Sequence, residues 1–303
     1  MRFTRLAAVL LVVGQQNAFA GTVVLQKKFI EKYRNRATID ATFIVDHTHA
    51  HPNPIKNDGK DGDLHSSGRA KEVGLPMVSE VVNAAQSNQS EVVRALQKLQ
   101  GTEKAPSISG AWRIWFEHPS TQPQVQFDAV PPAANTNPAH CFEIHPITAF
   151  GGQSLTSSFQ PIPKFEAYDA ETAFKSYENL PVTIKVSNTS VTLRSKKAGY
   201  NYVQFYAQLA GKPKATDDGG KLVMVDVSND PEGEVIVNNV RLIFVPGTPP
   251  LKELDQAAAG AQLHVLGIPR VNLNAIWTFI TASGPTQTDR KLPYEIIVVA
   301  ILK

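Results

Sequence analysis

The chain has 303 residues, 42% of them hydrophobic and 19% charged, which is long enough for two cores and too apolar for a disordered chain. Its formal net charge is +3, and Arg2 and Arg5 supply two of those charges, so the balance beyond them argues for no polyanionic partner such as nucleic acid. Cys141 is the single cysteine, which excludes an internal disulfide and a thiolate zinc knuckle.

Residues 1–20, "MRFTRLAAVLLVVGQQNAFA", run from Arg2 and Arg5 through apolar Leu6 to Val13 and close on small Ala18 and Ala20. They read as a secretory signal peptide, so the expected location is exported, periplasmic or extracellular. No later apolar run approaches the roughly 20 residues of a spanning helix, and no transmembrane segment is expected.

From Ala37, "ATIDATFIVDH" alternates like a half-buried strand and leads into a polar turn, "THAHPNPIKNDGKDGD". "DLHSSGRA" and "GLPMVSEVV" read as a second and a third strand, the latter rich in β-branched residues. "NQSEVVRALQKLQG" predicts an amphipathic helix: Asn88 is its N-cap, Glu91 completes a capping box, Val92, Leu96 and Leu99 share a face, and Gly101 stops it. "GAWRIWFEH" and "CFEIHPITAF" are two more strands, separated by a Pro/Asn/Ala-rich loop. Three strands, a helix and two strands is the order of an oligonucleotide/oligosaccharide-binding (OB-like) barrel, assigned here to residues 37–150.

Residues 151–165 are Gly/Ser/Pro-rich and read as a linker. Over residues 166–303 the strands "LPVTIKVSNTSVTLRS", "YNYVQFYAQLA", "KLVMVDVS" and "EVIVNNVRLIFV" precede a helix capped by Thr248, with Pro249 at its first position and Gly260 as its stop, and two strands end the chain. The expected fold is mainly β, with tandem OB-like five-stranded barrels, each carrying one helix between strands three and four. Comparing the chain with itself supports this. "GAWRIWFEHP" over "GAQLHVLGIP" matches glycine, alanine and the final proline at an offset of 150, and "CFEIHPITAF" over "PYEIIVVAIL" matches an aromatic, Glu and Ile at 152. In that alignment His145 and Pro146 become Ile297 and Val298, and Pro119 recurs as Pro269.

Seven of the eight histidines lie in the first half. Strand periodicity puts Glu143 and His145 on one face, where the carboxylate can orient the imidazole as general base or metal ligand, while Pro146 ends ladder pairing at a bulge or edge. "HTHAH" sets His47, His49 and His51 at alternating positions, so an extended backbone can converge three imidazoles on a divalent metal such as zinc. Asp58, Asp61 and Asp63 have glycines between them, which fits a turn better than a calcium loop lacking its closing glutamate. Trp112, Ile114 and Phe116 form a core face, and Arg113, Trp115 and Glu117 the opposite one, with Trp115 and Arg113 as candidate ligand contacts. His145, Glu143, His118, Asp63 and His65 are the candidate catalytic residues.

In order, "DGDLH", "EVGLPMVSEVVNA", "GAWRIWFEHP" and "FEIHPI" resemble a set of small secreted bacterial proteins of uncharacterised function. These carry an Asp-Gly-Asp-x-His hairpin, a Val/Ile-x-Glu-Ile/Val strand, a Gly-Val strand ending near His and a closing Glu-x-His-Pro-Val. The resemblance spans about residues 37–150 and departs at Ile147, where that pattern has valine. It implies an OB-like barrel and a secreted setting, and it transfers no catalytic role to any residue. Two functions follow as expectations: a binding or interaction module for an unknown ligand or envelope protein, and a metal-dependent hydrolase, for instance of phosphodiesters, built on the first-half His and acidic residues.

Overall fold

The computed structural model describes residues 21–56, 60–85, 89–284 and 286–303. The expected signal peptide, Asp58 and the Asn88 cap lie outside these residues. Strand β1 (Gly21–Gln26) runs into helix α1 (Lys27–Tyr33), which buries Phe29, Ile30 and Tyr33. A bent strand follows as β2 (Thr38–Thr42) and β3 (Ile44–Thr48), hinged at the fully buried Phe43. Then come the short ladder β4 (Ile55–Lys56) with β5 (Lys60–Asp61), then β6 (Leu64–Arg69), β7 (Met77–Val81), α2 (Ser90–Leu99), β8 (Ser107–His118), β9 (Gln124–Val125), β10 (His140–Phe150) and β11 (Gln153–Ser154).

The first barrel's strands lie in the order β2-β8-β10-β7-β6-β3, with β7 and β10 parallel and the other pairs antiparallel. Because β2 and β3 are successive halves of one bent path, the first strand pairs at both edges and curls the sheet into a half-barrel. Gly68 sits at that pinch: a Cβ there would lie 2.1 Å from the Ile44 carbonyl oxygen.

The second half adds α3 (Ala170–Glu178), β12 (Pro181–Val186), β13 (Ser190–Ser195), β14 (Val203–Leu209), β15 (Lys214–Ala215), β16 (Lys221–Ser228), β17 (Val237–Phe244), α4 (Pro249–Gln256), β18 (Gln262–Val271), α5 (Leu273–Ser283), β19 (Gln287–Lys291) and β20 (Tyr294–Leu302). Strand β14 pairs with both β18 and β16, which closes a five-strand barrel in the order β14-β18-β20-β17-β16, again with a parallel pair, β17 and β20. The chain is therefore mainly β, with a half-barrel sheet in the first half and a closed five-strand barrel in the second, and α2 and α4 precede the last two long strands of their sheets.

Three features depart from the sequence reading. Strands β12 and β13 do not open the second barrel; with β1, β9 and β19 they form a third sheet, in which β1 pairs with β13 and β9. Residues 151–165 pack rather than hang free, because β11 pairs with β10 and Leu155, Phe159 and Ile162 are buried. The offset of 150 is also wrong. Arg113 pairs across the ladder with Glu143, and Arg270 with Glu295, so Gly110-Ala-Trp-Arg113 corresponds to Gly267-Ile-Pro-Arg270, at 157. Pro119 and Pro269 are not equivalent, whereas His145 and Pro146 still correspond to Ile297 and Val298.

The barrels meet along β8 and β18 in a reciprocal arrangement. Arg113 Nε donates to the Pro269 carbonyl at 2.9 Å, and Arg270 donates a guanidinium N–H to the Trp112 carbonyl at 2.9 Å. Each arginine thus binds the carbonyl preceding the other, a local two-fold relation between the halves. One apolar cluster runs through both, from Val23 to Val298.

A carboxylate ties the seam from the other side. Asp218, in the β15–β16 loop, accepts from Ala37 N–H, Thr38 N–H, the Thr38 hydroxyl and the Thr216 hydroxyl at 2.6–3.1 Å. Burial opposes its ionisation, but these donors outweigh burial and hold the carboxyl below its usual range. Its stabilisation is therefore present above the unfolded-state value of 3.8 and is lost as pH falls through the lower folded-state value. We expect Asp218→Asn to cost about 1–2 kcal/mol at pH 7, since the group is partly exposed. Urea titrations of both proteins should show that cost shrinking towards zero in strong acid.

Candidate functional site

Strands β6, β7 and β10 turn Leu64, Val81, Phe142 and Ile144 into the core, and alternation turns His65, Glu80, Glu143 and His145 to the opposite face. That face is not open to solvent, because the second half lies across it through Tyr202. The result is a buried cluster of acids and imidazoles at the seam. A register shift separates Ile144 from Ile147 in the β10–β8 ladder, and Pro146 sits within it, so the proline removes no ladder donor.

His145, fully buried, lies at the centre. Its Nε2 is 3.1 Å from the Tyr202 hydroxyl and 3.3 Å from Asp63 Oδ2, and its Nδ1 is 3.5 Å from both Glu80 Oε2 and Glu143 Oε2. Tyr202 donates to Asp63 Oδ2 at 2.7 Å, and Asn83 N–H donates to Asp63 Oδ1 at 3.0 Å. Burial alone would lower the His145 pKa, but the surrounding Glu80, Asp63 and Glu143 hold it well above the usual histidine value.

Glu143 has both oxygens committed. Arg113 donates to Oε2 at 2.5 Å, and His140 Nε2 lies 3.1 Å from Oε1 while its Nδ1 donates to Pro138 O at 2.7 Å. Burial pushes the Glu143 carboxyl up, yet the Arg113 charge, the bond to His140 and the proximity of His145 overcome it and hold it well below its usual range. Glu80 goes the other way: burial, reinforced by Glu143 and Asp63 against the pull of His145, drives it well above its usual range. Burial and the Asp63 charge raise Asp61 to about 7, and burial with the neighbouring imidazoles lowers His65 to about 3.

A cavity of about 380 Å³ opens onto this cluster from between the halves. Its floor carries Asp61, His65 and Glu80, Glu117 and His118 stand at its side, and Tyr200 and Tyr202 belong to the opposite wall. Several buried atoms here have no hydrogen-bond partner, among them Glu80 Oε2, His145 Nδ1 and both His65 ring nitrogens. Such orphan groups are costly unless a ligand, water or ion meets them.

The structure therefore brings together Asp63, His65, Glu143 and His145, which the sequence placed in separate motifs, and sets His118 at the cavity, stacked on His140 at 5.3 Å. Within "HTHAH" only His49 approaches, stacking on His65 at 5.0 Å; His47 pairs with Ser67 across the ladder and His51 is exposed. Asp61 and Asp63 form a turn, in which Asp63 N–H donates to Asp61 Oδ1 at 3.1 Å around Gly62 at φ +83°. Arg113 and Trp115 are not surface contacts. Both lie within 2% exposure, because the face expected to be outer is covered by Pro269 and by Tyr177, whose ring meets Trp115 edge-on at 5.6 Å. Cys141 is buried, its thiol pushed up to about 12 by burial and then by Glu143.

Sequence reasoning missed Glu80 and Tyr202 as site residues and read Asp61 as part of a turn. For Glu80 a signal existed, a lone carboxylate inside the apolar "MVSEVV". For Tyr202 none did, since its role arises only where the halves meet. The Arg113–Glu143 pair recurs as Arg270–Glu295 and is scaffold, whereas His145 and its acidic surroundings belong to the first barrel alone. Among the described residues no helix is long and apolar enough to cross a membrane. No protein-family model matches the sequence, and no curated protein matches it significantly.

Proposed function

We propose that the chain is an exported binding protein that seats a small polar ligand in the cavity between its two barrels. The observation that carries this reading is the cavity itself: at about 380 Å³ it lies within the range of small-molecule sites, and its floor bears buried polar atoms without partners. Asp61 and Glu80 on the floor and Glu117 at the side give the cavity three carboxyl groups against the single lysine Lys197, while Phe165, Tyr168, Tyr200 and Tyr202 supply aromatic surface. This chemistry suits neutral or cationic ligands rich in hydrogen-bond donors, such as saccharides or amines, over a bare phosphodiester. The signal-like residues 1–20 support export.

Chito-oligosaccharides and spermidine, tested by thermal shift beside a dinucleotide, should raise the midpoint for at least one of the first two and not for the dinucleotide. Tyr200→Ala should remove the shift. A flat response to both probes, or an undiminished shift in Tyr200→Ala, would sink the reading. Metal-assisted hydrolysis is the second reading, favoured by the proximity of Asp63, Glu80 and His145. Glu143 would not serve it as general base, because Arg113 and His140 already occupy its oxygens.

A further inference from the structure

We propose that Asp63, Glu80 and His145 form a binding site for a first-row divalent metal ion, with zinc as the reference ion, at the floor of the seam cavity. This deepens the binding function proposed above and rests on it for the cavity as the route of entry. The three residues come from the short turn before β6, from β7 and from β10, and one donor atom from each lies within 4.8 Å of the other two. All three are buried, at 0%, 4% and 0% exposure.

The separations fit a coordination shell better than a set of proton-mediated bonds. Charge-assisted hydrogen bonds close to about 2.7–2.9 Å, whereas donors about 2.0–2.2 Å from a tetrahedral ion stand roughly 3.3–3.6 Å apart. Here Glu80 Oε2 lies 3.5 Å from His145 Nδ1 and 3.3 Å from His65 Nε2, within that range, while the 3.3 Å contact of Asp63 Oδ2 is with the other ring nitrogen of His145, Nε2. His145 Nδ1 and Glu80 Oε2, both sealed from solvent, make no hydrogen bond with each other across that 3.5 Å or with any other neighbour. A third orphan, His65 Nε2, stands 3.3 Å from the same Glu80 oxygen, towards the cavity. One cation beside Glu80 Oε2 would give these atoms a partner at once.

The surroundings supply what a ligand shell needs. Tyr202 and the Asn83 N–H orient Asp63, and Arg113 neutralises Glu143 so that this third carboxylate is not left unpaired beside the site. Mixed imidazole and carboxylate donors without thiolate match zinc, manganese or iron(II) rather than a soft ion. The second barrel lacks the set, since Ile297 replaces His145.

The test is calorimetry of the full mature chain, purified without a His tag, stripped with chelator and titrated with zinc chloride. One ion per chain is expected. The isosteric Glu80→Gln and Asp63→Asn should each weaken binding by at least about tenfold, and the replacement of His145 and Pro146 by Ile and Val should abolish it. Replacement of His47 and His51 by Ala should leave it unchanged. The proposal is overturned if a chain shown by circular dichroism to be folded takes up no zinc, if both isosteric variants bind like wild type, or if the His47/His51 variant is the one that loses the ion. The two readings separate cleanly. A chelated chain that still shifts with chito-oligosaccharide but takes up no zinc loses only the metal, and one that binds zinc but no organic probe loses only the ligand reading.

Discussion

Arg270→Met should lower the stability of the folded chain by about 3–5 kcal/mol, the cost of stranding one member of a buried ion pair. The guanidinium is fully buried, donates from Nε to Glu295 at 2.6 Å, and reaches the carbonyls of Arg36, Ala37 and Trp112 at 2.9–3.0 Å while lying 3.6 Å over the Trp112 ring. Burial lowers its pKa to about 10 against the pull of Glu295, so it remains charged at neutral pH. The substitution leaves Glu295 with Arg241 at 3.3 Å as its remaining charge partner, and takes a donor from the carbonyls of Ala37, Trp112 and Arg36, of which the last keeps Trp112 Nε1 at 2.8 Å. For a chain of this size the midpoint should fall by on the order of 10 °C. Adding Glu295→Gln should not recover the loss, because it leaves the buried Arg241 without its carboxylate in turn. Calorimetric unfolding of the two variants checks this; equal midpoints for Arg270→Met and wild type would mean that the seam does not depend on the reciprocal arginines.

Gly110→Ala should cost about 3 kcal/mol, the upper end of ordinary overpacking. A Cβ at Gly110 would lie 2.6 Å from the Pro146 carbonyl oxygen and 2.8 Å from Ile147 Cα, backbone atoms that a rotamer change cannot move. Gly267, its counterpart in the second barrel, would meet Ile296 Cγ2 at 2.4 Å and the Ile297 carbonyl oxygen at 3.0 Å. Gly267→Ala should therefore be destabilising as well, though less so, because its closest neighbour is a side chain that can turn. Chemical denaturation of the two variants beside Gly101→Ala, where a Cβ meets nothing within 4 Å but φ is +69°, separates packing cost from backbone cost. If both variants match Gly101→Ala, close packing of the last two strands is not what these glycines serve.

Much of the barrel order was legible because alternation and capping are local. "GAWRIWFEH" and "CFEIHPITAF" announce strands by period, and "SEVVRALQKL" announces a helix by its spacing. The third sheet was not legible. It assembles residues near 24, 125, 184, 193 and 289, and nothing within any one strand says which distant edge it joins. The erroneous offset of 150 has the same origin: matched letters in "GAWRIWFEHP" and "GAQLHVLGIP" cannot show register, which the cross-strand partners Glu143 and Glu295 define.

The sequence by itself determined the β-rich character, the concentration of histidines in the first half, and the pairing of Glu143 and His145 on one strand face. Tertiary structure alone decided that this face is buried, that Glu80 and Asp63 close on His145, and that Tyr202 arrives from 57 residues further along. The physical reason is that alternation specifies which side of a strand a residue takes, whereas desolvation and proximity depend on what is packed against that side. Here the second barrel supplies that cover, and it turns dispersed polar residues into one charged cluster.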